Sequence, residues 1–347
     1  MIVFLHGAPA FGAVETYVLD VLNGLGDRPG AIVYPDVPAL EPFAAAPVAE
    51  HVRLPEEVAA GSTLRLITNL TRTLRRLQPN VVHVTDVWPA GMIAARLARV
   101  PRVLVTHHTP ELPRRDNLIG RLWWKLAWLT RPEVVYTSES DRRADGRSGT
   151  TYVVYYGIDL GRWLDAPHAI DHEGPVIGTA ARLVEQKGLP LLVEAAPTIL
   201  GRYPSTLFVI VGDGAQRSHL EQLVHDAGLG DSFRFTGMRH DVERYVSSFD
   251  IYVLPSYFEG LCYAVIEAQA AGVPVIATPV GGVAENVVDG VTGKRMTVGD
   301  ATSLADGVLW MLDNPVRVQE LATEARRRAT ERYSRDRMVA ESVALYD

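Results

Sequence analysis

Two carboxylates, Glu259 and Glu267, stand eight positions apart in "PSYFEGLCYAVIEA", residues 255–268, around a glycine and Cys262, the only cysteine. The apolar run "DIYVLP" before them reads as a buried strand and "YAVIEAQAAG" as a helix, so Glu259, Gly260, Leu261 and Cys262 form the connecting loop. A loop that enters a helix gathers backbone N–H groups and the positive end of the helix dipole, which suits an anion. Side chains eight apart on one helix diverge by about 80°, so the carboxylates need not share a task. Glu259 in the loop can reach a polyol hydroxyl. Glu267, two turns into the helix, can accept from a hydroxyl pair such as a ribose. The plainer reading makes Glu259 a first-turn carboxylate complementing the dipole and Glu267 a solvated helix residue, and spacing alone favours it.

A basic pair shifts that balance. "GTAARLVEQKGLP" follows a second strand, and Pro190 suits the first turn of the next helix, so Arg182 and Lys187 lie on a loop aimed at the same place. A diphosphate needs neutralising charge; Arg offers a planar fork for its oxygens and Lys a point charge. Alone, such a pair is more often surface charge. Beside the two glutamates it outlines a site for a charged, hydroxyl-rich ligand.

The elements that must hold these loops repeat one rhythm. "MIVFL", "GAIVYP", "NVVHV", "RVLVTH" and "EVVYTS" alternate with helical stretches, and "PVIGTA", "TLFVIVG", "SFRFTG", "DIYVLP" and "PVIATP" do so again. Such βα alternation predicts an α/β protein with two Rossmann-like, doubly wound parallel sheets facing a cleft. Ligands of such sheets bind beyond the carboxyl ends of the strands. The polar, glycine-punctuated stretch at residues 157–174 reads as the linker. With 347 residues, 47% hydrophobic, two domains are the natural division. A formal net charge of −7 without long like-charge blocks argues against nucleic acid as a partner. One cysteine excludes an internal disulfide and a cysteine-based zinc site. The amino-terminal run lacks the pattern of a signal peptide, and no stretch of about 18 uninterrupted apolar residues occurs; the expected location is the cytoplasm.

"GTAARLVEQKGLPLLVEAA", "VGDGAQRSHLEQLVHDAGLGDSFRFTGM" and "DIYVLPSYFEGLCYAVIEAQAAGVPVIATPVGGVAENVVDGVTG" resemble the carboxyl-terminal half of the family 4, or group 1, retaining glycosyltransferases, the glycogen-synthase-like enzymes of GT-B fold. The resemblance is dense from residue 176 onward and looser before it, through "FGAVETYVLDVLNGL", "NVVHVTDVWPAGMIAARLA", "VTHHTP" and "VVYYGIDLGRW". It implies that Arg182 and Lys187 hold the donor's diphosphate, Glu259 the sugar hydroxyls and Glu267 the ribose. Backbone of Gly260, Leu261, Cys262 and Tyr263 would line sugar and phosphate, and the loop with Arg239 and Asp241 would cradle the base. In the first half, Gly12 and Ala13 match a close-approach turn, and His108 matches an active-site histidine. Adjacent His107 and His108 end a strand, so their side chains point oppositely and only one faces the cleft; two packing histidines are the alternative.

The resemblance further implies a donor domain over 163–330 and an acceptor domain over 1–162 joined by a returning helix, 331–347. It implies a nucleotide-sugar donor, UDP-linked or GDP-mannose, a glycan, lipid or small-molecule acceptor, no cofactor and no metal. The absence of Asp-x-Asp, the metal-carboxylate signature of the other large glycosyltransferase fold, is consistent with this. Ala13, Tyr156, Cys262 and Tyr263 depart from the family pattern and leave acceptor preference open. A nucleotide-sugar epimerase of the same fold and a silent sugar-nucleotide binding protein are the alternatives; retention of both glutamates favours an active enzyme. "VGDGAQ" is no dinucleotide fingerprint, since Arg217 stands where the third glycine belongs. "LIGRLWWKLAWLTR", residues 118–131, reads either as an interfacial helix for peripheral contact with the inner face of a membrane or as a core helix with Trp124 and Trp128 packed inward.

Overall fold

A computed structural model of the chain describes residues 1–9, 13–108 and 118–347. Two compact units form, Met1–Gly157 with Arg335–Asp347, and Ile158–Ser334. The first is built on seven strands, β1 (Ile2–Leu5), β2 (Gly30–Pro35), β3 (Glu50–Leu54), β4 (Val81–Val84), β5 (Arg102–His107), β6 (Glu133–Tyr136) and β7 (Thr151–Val153), in the order β3-β2-β1-β4-β5-β6-β7. The second carries β8 (Val176–Ala180), β9 (Leu207–Val211), β10 (Phe233–Gly237), β11 (Ile251–Leu254), β12 (Val275–Ala277) and β13 (Lys294–Arg295), ordered β10-β9-β8-β11-β12-β13.

Every ladder in both sheets is parallel. A parallel strand buried on both faces needs a continuous apolar run. The runs "IVFL", "LFVIV" and "IYVL" supply it and are wholly buried. The strands absent from the predicted series, β3, β7 and β13, contain half-exposed polar positions. They are edge strands by strand order, so no such run marks them.

Strand order reverses at β1/β4 in the first unit and at β8/β11 in the second, which makes these the two switch points. The helix Arg335–Ala344 belongs to the first unit. Ser342 Oγ lies 3.2 Å from Tyr17 Oη, and the Tyr346 hydroxyl 2.7 Å from His83 Nδ1.

Candidate active site

The switch point of the second unit gathers the residues singled out above. After β8 the chain passes exposed Arg182 and a short 3-10 turn, Glu185–Lys187, before the helix Pro190–Leu200 opens with its proline at the first position. After β11 it enters the loop of Ser256, Glu259, Gly260 and Leu261, and the helix Tyr263–Ala270 follows. The two loops are tied by backbone: Tyr257 N–H donates to the Gln186 carbonyl at 2.9 Å, and Gln186 Nε2 to the Phe258 carbonyl at 2.8 Å.

Inside that frame Lys187 Nζ donates to Glu259 Oε1 at 2.5 Å, with both side chains about nine-tenths buried. Ser256 Oγ, fully buried, donates to the same carboxylate oxygen at 2.7 Å. Burial alone would lower the Lys187 pKa, but the neighbouring Cys262 and the charge and hydrogen bond of the Glu259 carboxylate outweigh it and hold the ammonium above its usual range. Arg182 lies close enough to oppose that charge and has no ion-pair partner among the described residues. A carboxylate, two cations and a helix start thus converge on one loop pair. The arrangement can take a ligand with hydroxyls at one end and phosphate at the other.

Gly281 lets a third loop support the second. Its φ is +51°, and a β-carbon there would lie 1.9 Å from the Glu259 carbonyl oxygen. Gly282 N–H donates to the Gly260 carbonyl at 3.0 Å, and Asn286 Nδ2 to the Leu261 carbonyl at 3.1 Å. The loop bearing Glu259 is therefore clamped from both sides.

Cys262 precedes the helix with φ +59°, rare for a residue with a β-carbon. Burial, then the charge of Glu259, push its thiol up to about 12. It stays a neutral thiol at physiological pH and is no nucleophile.

Glu267 sits one turn into the helix, nearer its start than the predicted two turns, because the helix begins only at Tyr263. It is half-buried and not the solvated residue of the plainer reading. Burial pushes its carboxyl up to about 7, with Arg162 opposing the shift and Glu243 adding to it. Arg162 reaches Glu243 at 2.7 Å and the His240 carbonyl at 2.5 Å. It thereby joins the helix Leu160–Trp163 to the loop of Arg239 and Asp241. Those two pair with each other, Nε to Oδ1 at 3.0 Å, on the exposed side of that loop. Arg162 and Glu243 escape a reading of the sequence because neither stands in a motif with Glu267.

A carboxyl that titrates near 7 when folded and near 4.5 when unfolded binds extra protons in the folded state between those values. Its stabilising contribution is therefore present below the lower value and lost as pH rises through the upper. Glu267→Gln should melt above the wild type at about pH 8, with the gap closing near pH 4.5. Paired thermal melts at the two pH values check this. Equal melting temperatures at the higher pH would remove Glu267 from its buried setting.

In the first unit, Gly12 lies outside the described residues, and Ala13 begins the helix Ala13–Asn23. His107 and His108 diverge as expected, His107 against Tyr136 with ring centroids 5.5 Å apart and His108 stacked on Tyr156 at 5.6 Å. Both are buried. His108 Nε2 lies 2.5 Å from the Thr85 carbonyl, which can only accept, so this nitrogen carries the proton; Nδ1 meets the Tyr156 hydroxyl. Burial lowers the His108 pKa, which keeps the ring neutral. Thr85 Oγ1 in turn lies 2.9 Å from His6 Nδ1, whose other nitrogen is 3.2 Å from Glu15. His6, Glu15 and Thr85 carry no signal in the sequence, since a lone buried polar residue beside a strand end gives no pattern to read. Among the described residues no group of three His, Cys, Asp or Glu is placed to hold a metal ion, and no helix is long and apolar enough to cross a membrane.

Two Rossmann-like parallel sheets, the second with cations and carboxylates gathered at its switch point, define a protein of GT-B fold. Residues 164–332 match the model of the glycosyl transferases group 1 and residues 14–162 that of glycosyltransferase family 4. The chain belongs to this family and is a glycosyltransferase. It is 29% identical to a 2-deoxystreptamine glucosyltransferase of Streptomyces kanamyceticus, over 73% of each chain. It is also 29% identical to a GDP-mannose-dependent alpha-(1-6)-phosphatidylinositol monomannoside mannosyltransferase of Mycobacterium tuberculosis, over 74% of each. Among solved structures, Anabaena Alr3699/HepE in complex with UDP superimposes with a TM-score of 0.84 at 21% identity, over 99% of this chain and 98% of the other.

Proposed function

We propose that the protein is a retaining, metal-independent hexosyltransferase that moves a sugar from a nucleoside diphosphate sugar, UDP-linked or GDP-mannose, to a hydroxyl of a glycan, lipid or small-molecule acceptor. The observation that carries this reading is the buried Lys187–Glu259 pair beside exposed Arg182 at the switch point of the second unit. Glu259 accepts from sugar hydroxyls, Lys187 and Arg182 hold the diphosphate, and Glu267 accepts from the ribose. Backbone of Gly260, Leu261, Cys262 and Tyr263 lines sugar and phosphate, and the loop of Arg239 and Asp241 borders the base. The second unit thus takes the donor, the first the acceptor. His108, buried with both ring nitrogens bonded, is fixed as its Nε2–H tautomer and contributes no mobile proton.

In the reaction the bond from the sugar C1 to the diphosphate oxygen breaks and its electrons pass to the departing phosphate. Lys187 and Arg182 stabilise that charge as it forms. The acceptor oxygen bonds to C1 from the same face, and its proton goes to the leaving phosphate oxygen. Double displacement would need a nucleophile on the far face of the sugar, and Cys262 with its raised thiol pKa is unsuited to that task. Lys187 and Arg182, two cations on the loop after β8, support a reaction without a metal. The initial product, read by its anomeric proton coupling, should keep the donor's configuration, and the rate should survive a chelator. An inverted product would overturn retention, and loss of rate with chelator the metal independence.

A further inference from the structure

The helix Leu118–Trp128 sorts its large side chains unexpectedly. Trp124 is buried, and Trp123 and Trp128 pack against the core of the first unit. The Trp128 ring is also covered by the Arg147 guanidinium at 3.6 Å. Leucines face outward instead: Leu122 is 55% exposed, Leu126 38% and Leu129 75%, the last still bonded through its N–H to the Lys125 carbonyl. At about 100° per residue these three fall within one narrow stripe, with Lys125 and Arg121 along its flank. Arg121 and Lys125 are exposed, neither has an ion-pair partner among the described residues, and no acid occurs between residues 117 and 132.

An apolar stripe with cations along one flank matches a surface that is oily below and anionic above. A protein partner would call for acids to pair or for a flatter, less charged face. We infer that this face is a peripheral docking surface for an anionic lipid membrane, with the leucines entering the acyl boundary and Arg121 and Lys125 against the headgroups. The depth reached is that of an interfacial helix. The tryptophans, which draw the eye in the sequence, are structural and hold the helix on the unit. Binding uses no donor, so the inference stands apart from the assignment of the nucleotide-sugar site.

The full chain is mixed with vesicles of phosphatidylcholine, with and without phosphatidylglycerol, in the absence of nucleotide, and sedimented. It should pellet with the anionic vesicles and remain in solution with the neutral ones, since each cation near an anionic surface contributes roughly fivefold to affinity. The Leu122→Asp/Leu126→Asp variant should lose at least about tenfold in affinity with its circular dichroism unchanged, because both side chains are exposed. Arg121→Glu/Lys125→Glu should lose most of the preference for the anionic vesicles. Wild-type protein that never pellets, or a leucine variant that pellets as well as wild type, would overturn the inference. So would a wild-type dimer that the leucine substitutions dissociate, which would assign the face to a second copy.

Discussion

Lys187→Ala should lower kcat/KM roughly ten- to hundredfold and destabilise the fold by about 3 kcal/mol. The activity loss follows from removing one or two charge-assisted bonds, each worth about 1.5–3 kcal/mol, from the departing diphosphate. The stability loss has another source: without the ammonium, Glu259 keeps its place among buried neighbours with, among the described residues, only Ser256 donating to it. Glu259→Ala should reduce transfer while leaving binding of free nucleoside diphosphate nearly intact, because its proposed contact is to the sugar. Residues that share one ion pair do not add. The double variant should therefore be more stable than the sum of the single losses predicts. Steady-state kinetics and thermal melts of the three variants provide the test. Unchanged kinetics in Lys187→Ala would take the residue out of the site, and strict additivity would dissolve the pair.

The second large effect involves no side chain that touches a ligand. Gly281→Ala should cut transfer by more than about tenfold and cost about 2 kcal/mol or more in stability. An added β-carbon would collide with the Glu259 carbonyl, against backbone that cannot swing away as a flexible side chain could. The loop carrying Glu259, Gly260 and Leu261 must then shift, and a misplacement of about 1 Å suffices for a loss of this size. Gly290→Ala separates strain from placement. Gly290 also has a positive φ, +69°, but open space around its missing side chain. It should pay only about 1 kcal/mol of conformational cost and keep its kinetics. Equal activity in the two variants would show that the Gly281 contact does not position the loop.

Much of this architecture was legible because buried parallel strands and strand-end loops write themselves plainly. "DIYVLP" and "TLFVIVG" are continuous apolar runs, and the loops after β8 and β11 carry the charges. Edge strands β3, β7 and β13 have no such run, and their half-exposed polar residues look like loop. Pairing was harder to read than placement. That Lys187 meets Glu259 depends on the order β8-β11, in which strands distant in sequence become neighbours. The same holds for Arg162 and Glu243 beside Glu267, and for Tyr156, whose departure from the family pattern acquires meaning only where its ring stacks on His108. In the tryptophan helix the i,i+4 spacing of Trp124 and Trp128 correctly turned them inward. The leucine face stood out only once exposure was known.

The central claim is that the loops after β8 and β11 bind a nucleoside diphosphate through Lys187, Arg182 and Glu267. Calorimetric titration of UDP, GDP and ADP into the folded protein tests it most directly. One base should bind clearly above the others, with affinity falling roughly tenfold or more in Arg182→Ala and in Glu267→Gln. Absence of binding by all three, or binding indifferent to both substitutions, would contradict it.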